Sequence, residues 1–419
     1  MASPTHPTNH SISPALAAVL PPYLRKCMRT SNFFRDYFLE GELGEGANGS
    51  VLVCRRKPTA ESPASSSSTT PPDSISPTSA PAAASASASA TPVSYAVKVM
   101  PGTMSALAAL AEPACTASAT PMSYAVKAVP CTMSALAALE IQLSLAQHSA
   151  HVLNVVAVYC NELTPTNCPF IKYNTTLQPG LHLLIVMPLM RGGDLFEQVR
   201  NSHPGVATEN AVAAVFGQVA DALALIHARG LVHGDMKLEN VLCEEEDKEE
   251  KEEEDNEKAQ TGPYTNLHAT ISDFEFTRAA TDVPHANCFT KAYASPEILA
   301  NIERAEKGLP LEAVGACADV WALGVMLYTM LTRQMPFNSL PSEGSGYKDR
   351  LTPHWRARVR EGSIGLIVLP AQITPAAEDL LRRMLRPMAC ARITMPDVLR
   401  HPFVTRVQSR PAPAGEDPK

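Results

Sequence analysis

Three polar residues in the second half of the chain have the types and the spacing needed to transfer a group to a hydroxyl. Asp235 and Asn240 lie in the segment HGDMKLEN at 233–240, and Asp273 ends the apolar run HATISD at 268–273. A carboxylate five residues before an amide can face an attacking hydroxyl while the amide oxygen binds a metal ion. A further carboxylate can chelate the same cation, because hard cations prefer carboxylate oxygen. Each Asp alone would suit a surface or capping position, but the ordered set predicts a metal-assisted transfer site.

A glycine-rich segment, LGEGANGSV at 43–51, has the pattern G-x-G-x-x-G followed by a β-like run. Glycines let the backbone approach a polyphosphate and present its N–H groups. A dinucleotide-binding turn would lead directly into a helix, whereas here a valine and a strand follow. A plain turn explains the pattern equally well when it is taken alone. The candidate phosphate-binding residues are Leu43, Gly44, Glu45, Gly46, Ala47, Asn48, Gly49 and Val51.

A lysine that could contact phosphates lies in the β-like run AVK at 125–127, which ends in Lys127. Glu140 follows in a helix that Thr132 could cap, and a carboxylate partner would hold the ammonium group in place. Lys98 ends an identical AVK and competes for the same role. The residue that corresponds to Glu140 in that copy is Ala111, so Lys127 is preferred and Lys98 is the alternative.

The two AVK runs belong to an internal repeat. Residues 88–110 (ASATPVSYAVKVMPGTMSALAAL) recur at 117–139 (ASATPMSYAVKAVPCTMSALAAL). A solenoid needs at least about three copies to bury a core, so two copies indicate a local tandem duplication or an error in the gene model. Only one copy can occupy a given place in a compact fold. The preceding Pro, Ala, Ser and Thr-rich stretch at 57–92 has too little apolar bulk to offset the entropy of ordering it. We therefore expect an insertion at 57–121, disordered or duplicated.

Charge is concentrated in one segment. The chain has a net charge of −7, and residues 244–258 (EEEDKEEKEEEDNEK) contribute −8, leaving +1 for the remainder (−7 minus −8). This balance gives no case for a basic face that would bind nucleic acid. A solvated insertion at 244–262 is the preferred interpretation of the acidic run, and docking of a basic partner is the alternative.

The cysteines and the hydropathy pattern indicate the expected cellular compartment. Ten cysteines are scattered singly, with no C-x-x-C pair, which is typical of a reduced intracellular protein. We see no apolar run approaching the roughly 20 residues that cross a bilayer, and expect no membrane span. The expected location is cytoplasmic or nuclear. Residues 1–35 contain no acidic residue, which keeps organelle import open as an alternative.

Hydrophobic periodicity indicates how these residues are held. β-like runs occupy 49–54, 123–129, 151–159 and 181–187, whereas later segments have apolar residues at helical spacing, as at 136–143 and 212–226. Strands with one helix, followed mostly by helices, predict an α+β fold with a small sheet-rich lobe and a larger helical lobe.

Taken in order, these motifs resemble the eukaryotic protein kinase family from about residue 38 to 405. The matching segments are the glycine-rich loop, AVK, Glu140, the catalytic loop, Asp273-Phe274, ASPE at 294–297, DVWALG at 319–324, and Arg392 near HPF at 401–403. The resemblance implies a bilobal protein-kinase fold, with Glu297 paired to a buried Arg392 and Asp319 anchoring the catalytic loop. Lys237 and Thr290 are similar to the Ser/Thr branch, and the later motifs look loosely like the calmodulin-dependent group.

The resemblance also implies a nucleotide site. Met187 falls at the gatekeeper position, Pro188 would offer its carbonyl and Met190 its N–H to adenine. Asp194 could accept hydrogen bonds from ribose hydroxyls. The residues that would enclose the base are Leu43, Val51, Ala125 and Leu242, each of which suits an ordinary core position as well.

The resemblance also implies domain boundaries, cofactors and substrates. We expect a mostly disordered tail at 1–37, a sheet-rich lobe at 38–187, a helical lobe at 188–405 and a second tail at 406–419. The expected catalytic residues are Asp235, Lys237, Lys127 and Glu140, with ATP and Mg²⁺ as cofactors, and Asn240 and Asp273 as metal ligands. The expected substrates are proteins with Ser or Thr, acted on by a monomer.

Two departures from the family pattern qualify this expectation. Gly234 replaces the arginine that commonly receives an activation-loop phosphate, so control by such a phosphate is not expected. Glu275 replaces a glycine after Asp273-Phe274, which could narrow the positions open to Asp273. A pseudokinase that serves as a binding module is therefore the alternative function.

Overall fold

The computed structural model describes residues 33–46, 49–56, 95–98, 124–164, 166, 168, 179–202, 208–245, 264, 266–284, 289–337, 353–361 and 373–408. They form two compact units. The first contains the described residues up to Cys131 together with Val156–Leu189, and the second contains Thr132–Val155 and the described residues from Met190 onward. The first unit is built on a sheet and the second largely on helices, which confirms the predicted α+β class.

The first unit begins with a short helix and continues in strands. These elements are α1 (Phe33–Asp36), β1 (Tyr37–Gly46), β2 (Gly49–Arg56), β3 (Tyr95–Lys98), β4 (Tyr124–Pro130), β5 (Ala157–Leu163) and β6 (Gly180–Pro188). The main path through the sheet runs β1-β2-β4-β6-β5. Strands β1 and β2 form a hairpin that closes at the pair Gly46 and Gly49, so the glycine-rich segment lies in this hairpin as expected.

The two copies of the repeat have different places in this sheet. The second copy supplies β4, which pairs with β2 through Leu52 and Val126 and with β6 through Lys127 and Ile185. The first copy supplies β3, which has one registered pair with β2, between Val51 and Lys98. The interior strand is therefore made by the copy that contains Lys127.

The apolar run at 151–159 is not one strand, contrary to the prediction. Strand β5 starts at Ala157, while Val152 forms an isolated bridge with Ile271 and the Leu153 N–H donates to the Ile271 carbonyl. The division between the two units falls between Val155 and Val156. One continuous hydrophobic run thus contributes to two cores, which periodicity alone does not reveal.

The second unit starts with α2 (Met133–Ala146), whose predicted cap is confirmed, since the Thr132 hydroxyl accepts from the Ala135 N–H at 2.7 Å. The elements that follow are α3 (Leu195–Asn201), α4 (Glu209–Ala228), β7 (Leu231–Val232), β8 (Val241–Glu245), β9 (Leu267–Ile271), β10 (Arg278–Ala279), α5 (Pro296–Glu306), α6 (Cys317–Thr332), α7 (Pro353–Glu361), α8 (Pro375–Met384), α9 (Met395–Leu399) and α10 (Pro402–Gln408). Strands β8 and β9 form one two-stranded sheet, and β7 and β10 another. The catalytic loop and Asp273 lie next to these short strands.

Helix α4 is long and apolar enough to cross a bilayer, a feature that the sequence prediction did not identify. More than half of its most apolar window is buried inside the unit, and Val215, Val219 and Leu223 lie in the hydrophobic core. At its first residue, Glu209 accepts from Arg406 and from the Thr374 backbone and hydroxyl. These contacts are those of a central core helix.

The folded units extend slightly beyond the predicted boundaries. Phe33 and Tyr37 are buried in the first unit and stack with ring centroids 5.1 Å apart, although both lie in the segment predicted as a tail. Helix α10 continues to Gln408, past the predicted boundary at 405. The predicted insertion at 57–121 lies outside the described residues except for 95–98. The acidic insertion at 244–262 lies outside them except for Glu244 and Glu245, the last residues of β8.

Candidate active site

The catalytic loop follows β7 and holds Asp235 between two hydrogen-bonding side chains. Asp235 is buried, its Oδ2 lies 2.5 Å from Lys237 Nζ, and its Oδ1 accepts from the Thr290 hydroxyl at 2.6 Å. Lys237 Nζ also donates to Thr290 Oγ1 at 3.2 Å. The three side chains, of which Thr290 lies 55 positions from Asp235 in the sequence, form a closed hydrogen-bonded group around one carboxylate.

Asn240 is tied both to Asp235 and to the segment that leads to Asp273. Its amide nitrogen donates to the Asp235 carbonyl at 2.8 Å and to Asp235 Oδ2 at 3.2 Å. Its backbone carbonyl accepts from the Ser272 N–H at 2.8 Å and from the Ser272 hydroxyl at 3.0 Å. Since the amide donates through nitrogen, its oxygen is the atom suited to a metal ion.

Asp273 takes a left-handed backbone conformation, with φ 64° and ψ 68°, directly before a 3₁₀ turn at Phe274–Phe276. Such angles are uncommon for residues other than glycine and occur often at functional sites. Phe274 anchors the turn because its ring is buried in the core and lies 5.3 Å from the His233 ring. Glu275 lies within the turn and is not among the described residues with positive φ. The conformation seen here therefore does not require glycine at position 275.

A buried carboxylate holds the start of the catalytic loop. Asp319 accepts from the backbone N–H groups of His233 at 2.8 Å and Gly234 at 3.0 Å, and His227 Nε2 lies 2.9 Å from its Oδ2. Burial alone would raise the pKa of Asp319, but these hydrogen bonds and the neighbouring histidine charges outweigh it and lower the pKa. The predicted anchoring role of Asp319 is confirmed.

The second expected structural pair is also present. Arg392 donates to Glu297 Oε1 at 2.6 Å and to Glu297 Oε2 at 3.1 Å, in the bidentate geometry that makes such pairs strong. It also donates to the Cys317 carbonyl at 2.6 Å, at the start of α6. The Arg392 side chain is fully buried, so these contacts join α5 to the core.

Gly234 is required by its backbone conformation. Its φ is +82°, and a Cβ added there would lie 2.7 Å from the Phe276 carbonyl oxygen and 3.0 Å from Arg278 Nη1. The absence of an arginine side chain at this position is therefore linked to the close approach of the segment after Asp273. This relation could not be read from the sequence, because it depends on a contact between distant backbone segments.

We expect Gly234→Ala to destabilise the protein by about 2 to 3 kcal/mol, because it adds left-handed strain to a backbone clash. Gly230→Ala is the matched control, since Gly230 also has positive φ but has no atom within 4 Å of an added Cβ. Urea denaturation of the two variants measures the difference. Equal destabilisation of both variants would show that the Phe276 contact contributes nothing.

Asp194 is held at the start of α3, where its Oδ1 accepts from the Glu197 N–H at 2.7 Å. An isolated bridge pairs Asp194 with Leu242 on β8. Burial raises the pKa of Asp194 to about 6, the Glu197 N–H opposes that rise, and the charges of Glu197 and Glu239 add to it. A carboxyl with a raised pKa is thus positioned beside β8.

We expect the stability of the protein to fall as Asp194 ionises. Its folded pKa is above the ordinary value, so the folded state binds the proton more tightly than the unfolded state, and that advantage is lost as pH rises through about 6. Asp194→Asn keeps an oxygen to cap the helix and removes the titration. The urea midpoint of the variant, relative to that of the wild type, should be higher at pH 7.5 than at pH 4.5. The same difference at both pH values would contradict the assignment.

The remaining predicted residues are distributed over the two units. Lys127 is half-buried in the interior of β4, with Ala125 on the same strand, and Met187 and Pro188 end β6. Glu140 is half-buried on α2, and the Met190 carbonyl accepts from the Gly193 N–H. Leu43, Gly44, Glu45 and Gly46 lie on β1, Gly49 and Val51 on β2, and Lys98 ends β3, while Ala47 and Asn48 lie outside the described residues. Which of these meet a nucleotide stays a prediction.

Two contributors to the site were missed at the sequence level. His227 lies on the last turn of α4 and contacts Asp319. Ser272, the residue before Asp273, donates to the Asn240 carbonyl. His227 lies six positions before His233, and its only signal in the sequence is a polar residue near the end of an apolar helix. Both roles depend on partners far away in the chain.

Comparison with known proteins adds independent support. The family model described as "Protein kinase domain" matches residues 115–404, a range that includes Lys127 and the second copy of the repeat. The chain is 25% identical over 265 residues to MAP kinase-activated protein kinase 2 of Drosophila melanogaster, covering 62% of this chain and 60% of that protein. It is 26% identical over 239 residues to serine/threonine-protein kinase PLK4 of Drosophila grimshawi, covering 56% and 26%. With CBL-interacting protein kinase 20 of Oryza sativa subsp. japonica the identity is 29% over 234 residues, covering 55% and 42%. The chain thus spans from about a quarter to three fifths of these relatives.

Proposed function

Since this chain belongs to the protein kinase family, we propose that it transfers the γ-phosphoryl group of ATP to Ser or Thr hydroxyls of proteins. The observation that supports this proposal most strongly is the group formed by Asp235, Lys237 and Thr290. A carboxylate held at both oxygens has a defined orientation, which is what a base needs in order to meet an incoming hydroxyl.

The proposed mechanism assigns one task to each residue. Asp235 orients the substrate hydroxyl and accepts its proton, and Lys237, 2.5 Å away, balances negative charge beside it. Lys127 would contact the phosphates of ATP with its ammonium group. Orientation and electrostatic stabilisation account for most of the catalysis expected at such a site.

The residues present suit Mg²⁺. Asn240 and Asp273 offer an amide oxygen and a carboxylate, and Ser272, the residue before Asp273, donates two hydrogen bonds to the Asn240 carbonyl. Mg²⁺ in phosphoryl-transfer sites is bound by one or two carboxylates with phosphates and waters rather than by a closed protein cage. The described residues contain no cluster of three His, Cys, Asp or Glu that could hold a metal. When bound, the ion would neutralise charge that develops on the phosphates.

The proposal is tested by incubating the purified chain with γ-labelled ATP, Mg²⁺ and peptides that offer Ser, Thr or Tyr as the only acceptor. We expect label on Ser and Thr peptides, little on Tyr peptides, and none when Mg²⁺ is removed by a chelator. Binding of ATP without any transfer would overturn the proposal in favour of the pseudokinase, which Gly234 and Glu275 motivate.

The acidic run supports a narrower proposal about partners. Residues 244–258 have a charge of −8 and begin at Glu244, whose side chain accepts from the Arg191 N–H at 2.7 Å. We propose that this run is a solvated insertion with no part in catalysis. Deletion of residues 246–258, which leaves β8 in place, should leave transfer to both basic and neutral peptides unchanged, and a selective loss on basic peptides would support docking instead.

A further inference from the structure

Two cysteines of the first unit lie side by side. The sulfur atoms of Cys131 and Cys160 are 3.8 Å apart, and the described part of the chain contains both as thiols. Cys131 is fully buried at the end of β4, whereas Cys160 on β5 is partly accessible. One cysteine of the pair is therefore partly exposed, and the other is fully buried.

The strand register places the two cysteines on one face of the sheet. The Cys131 N–H donates to the Leu181 carbonyl on β6, and Cys160 pairs with Leu183 on the same strand. Residues two apart on a strand face the same side, so both cysteines lie over one face of the sheet, on opposite sides of β6. A disulfide has a bond of about 2.0 Å and Cα atoms within about 7 Å of each other, so the contact at 3.8 Å closes only if the backbone at Cys131, beyond the end of β4, moves toward β5.

The contact also affects reactivity. The hydrogen bond with the Cys131 thiol lowers the pKa of Cys160, against the opposing effect of burial. A greater thiolate fraction makes a cysteine a better nucleophile toward an oxidant, and a second thiol in contact can resolve the first oxidation product. Accessibility, a lowered pKa and an adjacent thiol thus coincide at Cys160.

The repeat contains this pair in one copy only. Cys131 follows the proline that ends β4, and the first copy has Gly102 at the corresponding position. The copy that forms the interior strand is therefore also the copy that supplies the thiol next to Cys160.

We propose that Cys131 and Cys160 form a reversible disulfide when the protein meets a peroxide, so that this pair is an oxidative modification site separate from the catalytic loop. The site goes beyond the proposed kinase function and does not depend on it.

The chemistry balances with hydrogen peroxide as the oxidant. The Cys160 thiolate attacks one peroxide oxygen, forming an S–O bond as the O–O bond breaks, and the released hydroxide takes the proton that Cys160 gave up, forming water. The Cys131 sulfur then attacks the Cys160 sulfur, forming the S–S bond as the S–O bond breaks. The second hydroxide takes the Cys131 proton and leaves as a second water molecule. A dithiol reductant reverses the change by thiol–disulfide exchange.

The test treats the full chain with hydrogen peroxide, blocks remaining thiols by alkylation, and digests it without reduction using trypsin and a protease that cuts after Glu. Cleavage after Lys127, Glu140 and Glu162 separates the two cysteines into peptides 128–140 and 141–162. We expect these peptides as a linked pair, two hydrogen atoms lighter than their sum, and as separate alkylated peptides after a dithiol reductant. Linkage of Cys160 to another cysteine, or a sulfinic acid at Cys160 with Cys131 still alkylated, would overturn the proposal.

Two variants and one stability measurement complete the test. Cys160→Ser should abolish the linked pair, whereas Cys54→Ser, a change at a buried cysteine of the same unit, should leave it intact. Because the bond would restrict the unfolded chain, the peroxide-treated wild type should have a higher Tm than the reduced protein. A lower Tm after oxidation would show that the native fold does not accommodate the bond. The peptide mapping uses the wild type, so it is decisive even if a variant fails to fold.

Discussion

Replacing Asp235 by Asn should reduce the rate of phosphoryl transfer about a thousandfold, within the range that general-base catalysis contributes. The substitution keeps the size of a side chain that is 5% exposed, and it keeps an oxygen that can accept from Thr290. It removes the negative charge and the ion pair with Lys237. The expected loss is therefore in kcat, which is measured with labelled ATP and a Ser or Thr peptide at saturating substrate.

A matched control comes from the same residue type on the surface. Asp282 is exposed in the segment after β10, and Asp282→Asn should leave kcat unchanged. Binding of ATP by Asp235→Asn, followed by fluorescence or calorimetry, should remain close to that of the wild type, because Asp235 is assigned to the hydroxyl rather than to the nucleotide. A variant that retains more than about a tenth of the wild-type rate would contradict the role of Asp235 as base.

Replacing Lys127 by Met should lower kcat/KM about a hundredfold or more, comparable to the loss of one well-placed electrostatic group. Lys127 lies on the interior strand β4, paired with Ile185 on β6, and belongs to the copy that is followed by Glu140. The side chain of Met has a similar length without the charge. The change should therefore remove the contact with the phosphates while preserving the sheet.

The duplicated sequence supplies its own control. Lys98 has the same local sequence, YAVK, and Lys98→Met should change kcat/KM by less than about twofold, since its strand has one registered pair with β2. Thermal unfolding of both variants shows whether either change disturbs the fold. A loss with Lys98→Met as large as that with Lys127→Met would mean that the first copy supplies the lysine.

The local parts of the site could be predicted from the sequence. The spacing of Asp235 and Asn240, the cap formed by Thr132 and the strand that holds Lys127 depend on neighbouring residues, whose patterns have a direct physical meaning. The pairing of Glu297 with Arg392 and the anchoring by Asp319 were expected from the family resemblance rather than from periodicity. Both are present.

Contacts between distant segments that the family resemblance does not imply could not be predicted. The run at 151–159 looks like one strand because its apolar pattern is continuous, yet its first half bridges to Ile271 and its second half pairs with β6. The role of His227 could not be assigned from the sequence because its partner, Asp319, lies 92 positions away. The contact between Gly234 and Phe276 has the same origin, since a backbone carbonyl has no signature in the sequence.

The division of the chain between its two units has a consequence for biosynthesis. The chain passes from the first unit to the second after Cys131, returns at Val156, and leaves again after Leu189. Strand β6 lies between β4 and β5 although it is made after both, so a growing chain cannot complete this sheet until residue 188 has left the ribosome. Helix α2 is synthesised earlier, but it can pack into the core of the second unit only after residues beyond Met190 have been synthesised. Many domains fold one after another during synthesis, the N-terminal domain first. Here the segments of the two units alternate along the chain, so we expect their folding to overlap in time.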